Sequence, residues 1–201
     1  MLNSDLLRYA RVHRALAILG ATAAVVVLSA FFGGTNIAVP SIGSGGVTTG
    51  IPFRRELPLL SGVFLTASLD GAMSKHEEMG TEAMHRYRFR YCFGLALAVC
   101  ALSFSVEALA VSVEAGVIFV RSILIWLGLA LFSVRLLGTQ LSWPLPLASA
   151  LFLIWYPQTW WDWTSNPATD LFSWTAAAAS LTMGATASAA TPWRVKGWTR
   201  R

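Results

Sequence analysis

ALAILGATAAVVVLSAFF, residues 15–32, runs 18 residues without a charge. A helix rises about 1.5 Å per residue, and about 20 apolar residues cross a bilayer. Arg8, Arg11 and Arg14 stand immediately before the run. The stretch reads as a membrane helix with a basic flank. A basic start, an apolar core and Leu28-Ser29-Ala30 also match a cleavable secretory signal. Further apolar runs follow, so the next loop lies outside the cell on either reading.

The rest of the chain extends this pattern. Of 201 residues, 55% are hydrophobic and 12% are charged, and the mean hydropathy is +0.58. Soluble domains carry about 25% charged residues. The composition excludes a disordered chain, a nucleic-acid domain and an ordinary soluble enzyme. Nine Trp suit a lipid–water boundary. Spans are expected at 15–32, 51–69, 91–111, 113–134, 137–156 and 171–190. The predicted fold is therefore all-α, one polytopic transmembrane bundle over 1–201.

The connections carry their own signals. Residues 33–50 (GGTNIAVPSIGSGGVTTG) have loop chemistry. Arg54, Arg55 and Glu56 interrupt the start of span 51–69, which makes it a crossing with snorkelling ends or a re-entrant or interfacial helix. Pro144 and Pro146 predict a bent or broken entry to the fifth span. Residues 157–170 (PQTWWDWTSNPATD) form a Trp-rich external loop, and 5–14 reads as a short interfacial helix or a basic anchor. Cys92 and Cys100 lie about 12 Å apart along a helix, too far for a disulfide, and read as packing residues.

Charge sets the expected topology. With six crossings both ends share a side. That side holds twelve of the fifteen basic residues, counting the N-terminus, 70–90, Arg135 and the tail. Arg54 and Arg55 lie opposite and Arg121 lies within a span. The bias makes the terminal side cytoplasmic and the location the inner membrane, multi-pass. It also accounts for the +5 charge without nucleic acid.

Several constellations could carry chemistry. His76, Glu77, Glu78, Glu82 and His85 resemble metal ligands in type, but Gly80 stands where His-Glu-x-x-His needs its second His. They read instead as a solvated or partner-contacting helix, and no metal or cofactor is expected. Glu107, Glu114 and Arg121 form a candidate intramembrane polar cluster: a structural ion pair of Arg121 with one of the two acids, or a polar lining for a substrate path. Ala176, Ser180, Gly184 and Ser188 recur at steps of four, a stripe that lets another helix approach closely, within the bundle or across a homodimer seam. No Ser/His/Asp, carboxylate-pair or thiol–His set can be assembled. Neither Lys75 nor Lys196 follows a glycine, so no P-loop is present. No enzymatic activity is expected of this chain.

The layout resembles the permease half of bacterial type-2 ABC exporters. The residues that carry the likeness are the basic 5–14 segment, six apolar runs, the polar link SLDGAMSKHEEMGTEAMHRYRFRY (68–91) between spans two and three, and the last external loop at 157–170. The resemblance covers nearly the whole chain in layout and rests on no specific motif. It implies export of a small molecule, peptide or lipid-like substrate, driven by a separate ATP-binding subunit. That subunit would dock on a coupling segment containing Asp70, Lys75, Glu77, Glu78, Glu82, Arg86 and Arg88. The rival reading is a non-transporting membrane interaction, immunity or assembly protein.

Overall fold

In an apolar setting the backbone must satisfy its own hydrogen bonds, and the uncharged runs do so as helices. The computed structural model describes residues 14–40, 48–68, 82–156 and 159–189. Helix α1 spans Ala15–Phe32, the full uncharged run. Strands β1 (Asn36–Pro40) and β2 (Thr48–Pro52) then pair antiparallel, with Ala38 opposite Gly50. This corrects the reading of 33–50 as loop alone. Ile37 and Val39 in one strand and Thr48, Thr49 and Ile51 in the other are β-branched, which favours a strand on either side of the Gly- and Ser-rich turn region.

The run 51–69 is divided. It contributes the end of β2, a 3-10 turn at Phe53–Arg55 and helix α2 at Leu57–Ala67. Pro58 lies in the first turn of α2, where its missing N–H costs nothing. With 11 residues α2 is about 16 Å long, half of a bilayer's hydrocarbon core. Helix α3 (Glu82–Ala110) and helix α4 (Val113–Leu137) form a hairpin through Val111 and Ser112. Ser112 caps α4 by accepting the Ala115 N–H at 3.1 Å, and Glu114 sits in the first turn, where a negative charge suits the helix dipole. Gly138 ends α4 at φ +97°, a conformation a side chain would strain. A 3-10 turn at Thr139–Leu141 leads to helix α5 (Pro144–Trp155), which starts at its proline, and helix α6 spans Leu171–Ala189.

The protein is thus helical, with one small hairpin. Among the described residues three helices are long and apolar enough to cross a membrane: α1, Phe89–Ala110 within α3, and α4. Of the six apolar runs, three give such helices among the described residues. Prolines and the Arg-Arg-Glu break shorten α2 and α5 to 11 and 12 residues. Helix α6 is long enough, but its Ser, Thr and Gly dilute its hydropathy.

Helix α4 is the centre of the bundle and touches α2, α3, α5 and α6. The core joins Ile18 and Val26 of α1, Leu65 of α2, Leu95 and Val99 of α3, and Phe119, Ile123 and Leu127 of α4. Small residues set its tightest contact. A Cβ on Gly128 would run into the Ser180 carbonyl carbon, and one on Gly184 into the Gly128 oxygen. Gly62 meets α4 at Trp126 and Leu127 in a similar way. Close backbone approach at small residues is a usual means of helix association in lipid.

Hydroxyls are buried beside this apolar core, and large apolar side chains also face outward. Thr22, Ser29, Ser61, Ser103, Ser133 and Ser173 are fully enclosed, while Leu16, Phe31, Phe93, Leu97 and Leu109 point outward. Along α3 the enclosed stripe is Tyr91, Leu95, Val99, Ser103 and Glu107, one residue every four. Cys92 and Cys100 are half-buried and not bridged.

Candidate functional site

The hairpin end of the bundle gathers charge beside apolar helices. It is built from the 53–56 turn, the ends of α3 and α4, and the loop before α6. The turn places three charged residues side by side. The Arg54 backbone N–H donates to the Gly33 carbonyl, which fixes the turn beside the end of α1. The Arg54 side chain then reaches Glu107, its Nε 3.2 Å from Oε2, and donates from Nη2 to the Ser29 carbonyl at 3.3 Å. Glu107 is fully buried, while the Arg54 side chain is 25% exposed.

Arg55 turns toward the loop. Its Nη1 lies 3.9 Å from Asp162 Oδ2, and 30% of its side chain is exposed. Asp162 is committed elsewhere: Oδ1 accepts from the Thr164 hydroxyl at 2.6 Å and the Thr164 N–H at 3.1 Å. Among the described residues Arg55 therefore has one loose ion pair, feels the neighbouring Glu56, and keeps donors to spare. Glu56 is the third member. Burial first, and then the Asp162 carboxylate, push its carboxyl up to about 7, against the pull of Arg55.

Arg121 is fully buried and, among the described residues, makes no direct ion pair, although Asp170 acts on it through space. Its Nη1 donates to the Pro167 carbonyl at 2.7 Å, and its Nη2 donates to the carbonyls of Trp163 and Asn166 at 2.6 and 2.7 Å. The planar guanidinium fork suits such multiple acceptance. One side chain thus fastens residues 163–167 to the central helix. The loop is also self-braced. Asn166 Nδ2 donates to the Trp160 carbonyl and to Asp170 Oδ2. Asp170 caps α6 by accepting the Ser173 hydroxyl at 2.6 Å and its N–H at 2.9 Å, bonds that hold the Asp170 carboxyl below its ordinary value. Trp160 packs edge-on against Trp161 and Phe172.

Between the turn, α4 and the loop lies a half-open cavity of about 240 Å³. Arg54, Arg55, Ser122, Thr164 and Ser165 give it polar walls, and Pro58, Ile118 and Phe119 form its apolar side.

The expected cluster of Glu107, Glu114 and Arg121 is therefore not a cluster. Glu107 pairs with Arg54, Arg121 binds loop carbonyls, and Glu114 is exposed at the start of α4. In place of both Arg121 pairings read from the sequence stand the loop carbonyls, which supply its acceptors. The stripe on α6 is displaced. Ser180 and Gly184 do face α4, but Ala176 is half-buried and Ser188 exposed, and the enclosed face reads Ser173, Ala177, Ser180 and Gly184. Asp70, Lys75, Glu77 and Glu78 lie outside the described residues, as do 5–13 and the basic tail. Glu82, Arg86 and Arg88 fall on the first turns of α3. Among the described residues no three His, Cys, Asp or Glu side chains gather as a metal site.

Sequence reasoning missed the roles of Arg54, Arg55, Glu56 and Asp162. The signal was there in the charge list. The basic residues on the hairpin side are Arg54 and Arg55, and Glu107 and Asp162 are acids expected on the same side, so mutual pairing was the economical solution. No protein-family model, curated protein or solved structure matches the chain.

Proposed function

We propose that this chain is the membrane subunit of a permease-like exporter in the bacterial inner membrane, with both ends cytoplasmic and a separate ATP-binding subunit docking on residues 70–90. The carrying observation is the polarity of the molecule along its long axis. Charged and Trp-rich structure caps one end, and the polar 70–90 link and basic termini belong to the other on the sequence reading. Helix directions support this arrangement. Gly128 meets both Ser180 and Gly184, and Arg121 meets the loop preceding α6, so α4 and α6 run the same way, while the Val111–Ser112 turn sets α3 against α4.

In this reading α1, α3, α4 and α6 form the frame, and the half-length α2 and α5 fill its interior without crossing as helices on their own. The substrate is a small molecule, peptide or lipid-like compound, and its path runs between two copies of the chain. A photo-crosslinker at Lys75 or Arg86, introduced in cells, should trap a P-loop ATPase. Capture of no ATP-binding protein from either position sinks the exporter reading.

One observation favours the rival, a non-transporting interaction protein. Arg121 fastens the loop to α4 with three short hydrogen bonds, and α4 meets α6 backbone to backbone. Such a bundle is stiff, and tilting on an ATP cycle would have to move it as a block. Site-directed spin labels on α1 and α6 distinguish the two: nucleotide-dependent distances with the ATPase present favour transport, and invariant distances favour the rival.

A further inference from the structure

We propose that the cavity at the hairpin end binds a phosphate headgroup, held chiefly by Arg55, and that its source is a phospholipid of the adjoining leaflet. The inference goes beyond the exporter reading and needs no ATPase.

The chemistry of the walls selects an anion. The charged groups lining the cavity are the two arginines. Of the nearby carboxylates, Glu107 is 0% and Asp162 2% exposed, and Glu56, half-buried beside Arg55, does not line the cavity. Arg54 is already engaged by Glu107 and the Ser29 carbonyl. Arg55 is held at 3.9 Å by an acid whose other oxygen is taken by Thr164. Its guanidinium is thus positioned but not saturated, and a phosphate accepts from such a fork in a bidentate way. The Ser122 hydroxyl lines the same space and can supply a further donor, while those of Thr164 and Ser165 donate to Asp162 and keep their lone pairs toward it.

Size and setting select the lipid. Pockets for drug-sized ligands run from about 300 to 1,000 Å³. A half-open cavity of about 240 Å³ admits a headgroup and leaves the rest of an amphiphile outside. The cavity opens at the end of α4, a helix apolar enough to cross a membrane, and its non-polar side is Pro58, Ile118 and Phe119. Acyl chains can lie along the outward-facing apolar surfaces while the phosphate enters.

The full chain, purified in neutral detergent, would be titrated with phosphatidylglycerol, with a glycolipid of the same acyl chains lacking phosphate, and with soluble glycerol phosphate. Binding would be read by native mass spectrometry and by the thermal midpoint. The expected result is retention of phosphatidylglycerol, at least tenfold weaker retention of the glycolipid, and at least tenfold loss of phosphatidylglycerol binding in Arg55→Gln, with partial recovery in Arg55→Lys. Ala115→Phe narrows the cavity without touching a charge and should cause the same loss, which keeps the test decisive where Arg55→Gln fails to fold. Glycerol phosphate binding as tightly as the lipid, and lost in the same variants, would uphold the phosphate site and overturn the lipid as its source. Equal retention of glycolipid and phosphatidylglycerol, or undiminished phosphatidylglycerol binding in folded variants, would overturn the proposal.

Discussion

Arg121, Arg54 and Glu56 show how a charge survives among apolar neighbours by three different means. Among the described residues Arg121 makes no direct ion pair and uses three backbone carbonyls. Arg121→Lys keeps the charge but loses the fork, and should destabilise the fold by about 2 kcal/mol, because a point charge cannot serve three acceptors in one plane. Detergent-solubilised melting curves of the two proteins would show it. Arg54 uses a carboxylate. Glu107→Leu leaves the arginine with a single carbonyl, and breaking such a pair costs about 3 kcal/mol, at the low end of the range because Arg54 is partly exposed. The double variant Arg54→Leu/Glu107→Leu should recover much of that loss. A double variant as unstable as the sum of the singles would show that the pair does not interact.

Glu56 uses neutralisation. Its carboxyl titrates near 4.5 when unfolded and near 7 in the fold. A raised acid stabilises the fold fully below the unfolded value and less as pH rises toward the folded one. Stability should therefore fall between pH 4.5 and about 7, by on the order of 3 kcal/mol, and then level off. Glu56→Gln should flatten that slope. A wild-type slope that persists in Glu56→Gln would assign it to another group.

At the scale of elements, the α4–α6 contact is the most constrained. Gly128→Ala places a methyl against backbone rather than against a movable side chain, so the helices must separate. Overpacking of this kind costs about 1–3 kcal/mol, and a fall in the melting midpoint is expected, larger than for Gly94→Ala, where nothing stands within 4 Å. Equal effects of the two substitutions would mean that the close approach contributes little. The displaced stripe on α6 belongs here as well. A step of four read from Ala176 drifts off a face that repeats every 3.6 residues, so Ser180 and Gly184 were found and Ser173 and Ala177 were not.

For the whole molecule, the exporter reading places the β1–β2 hairpin outside and residue 75 in the cytoplasm. Ala38 is exposed and suits a probe, whereas Leu57 is buried and does not. In intact cells Ala38→Cys should react with a membrane-impermeant maleimide and Lys75→Cys should not. Labelling of both positions, or of neither, would remove the assigned topology.

The chain by itself determined the helical class, the extent of α1, the α3–α4 hairpin and the absence of a P-loop, because each depends on local composition or on a contiguous run. It also supplied the charges of the hairpin end. Tertiary structure decided their partners. Whether Arg121 meets Glu107, Glu114 or a carbonyl depends on where a loop more than 40 residues away returns, and no local pattern encodes that distance. Tertiary structure likewise divided 51–69 into strand, turn and half-helix, since hydropathy averages over a window while proline and paired arginines act at single positions. What began as an uncharged run at 15–32 became one wall of a bundle at one end of which Arg54, Arg55, Glu107 and Asp162 pair, and where the backbone folds back to receive Arg121.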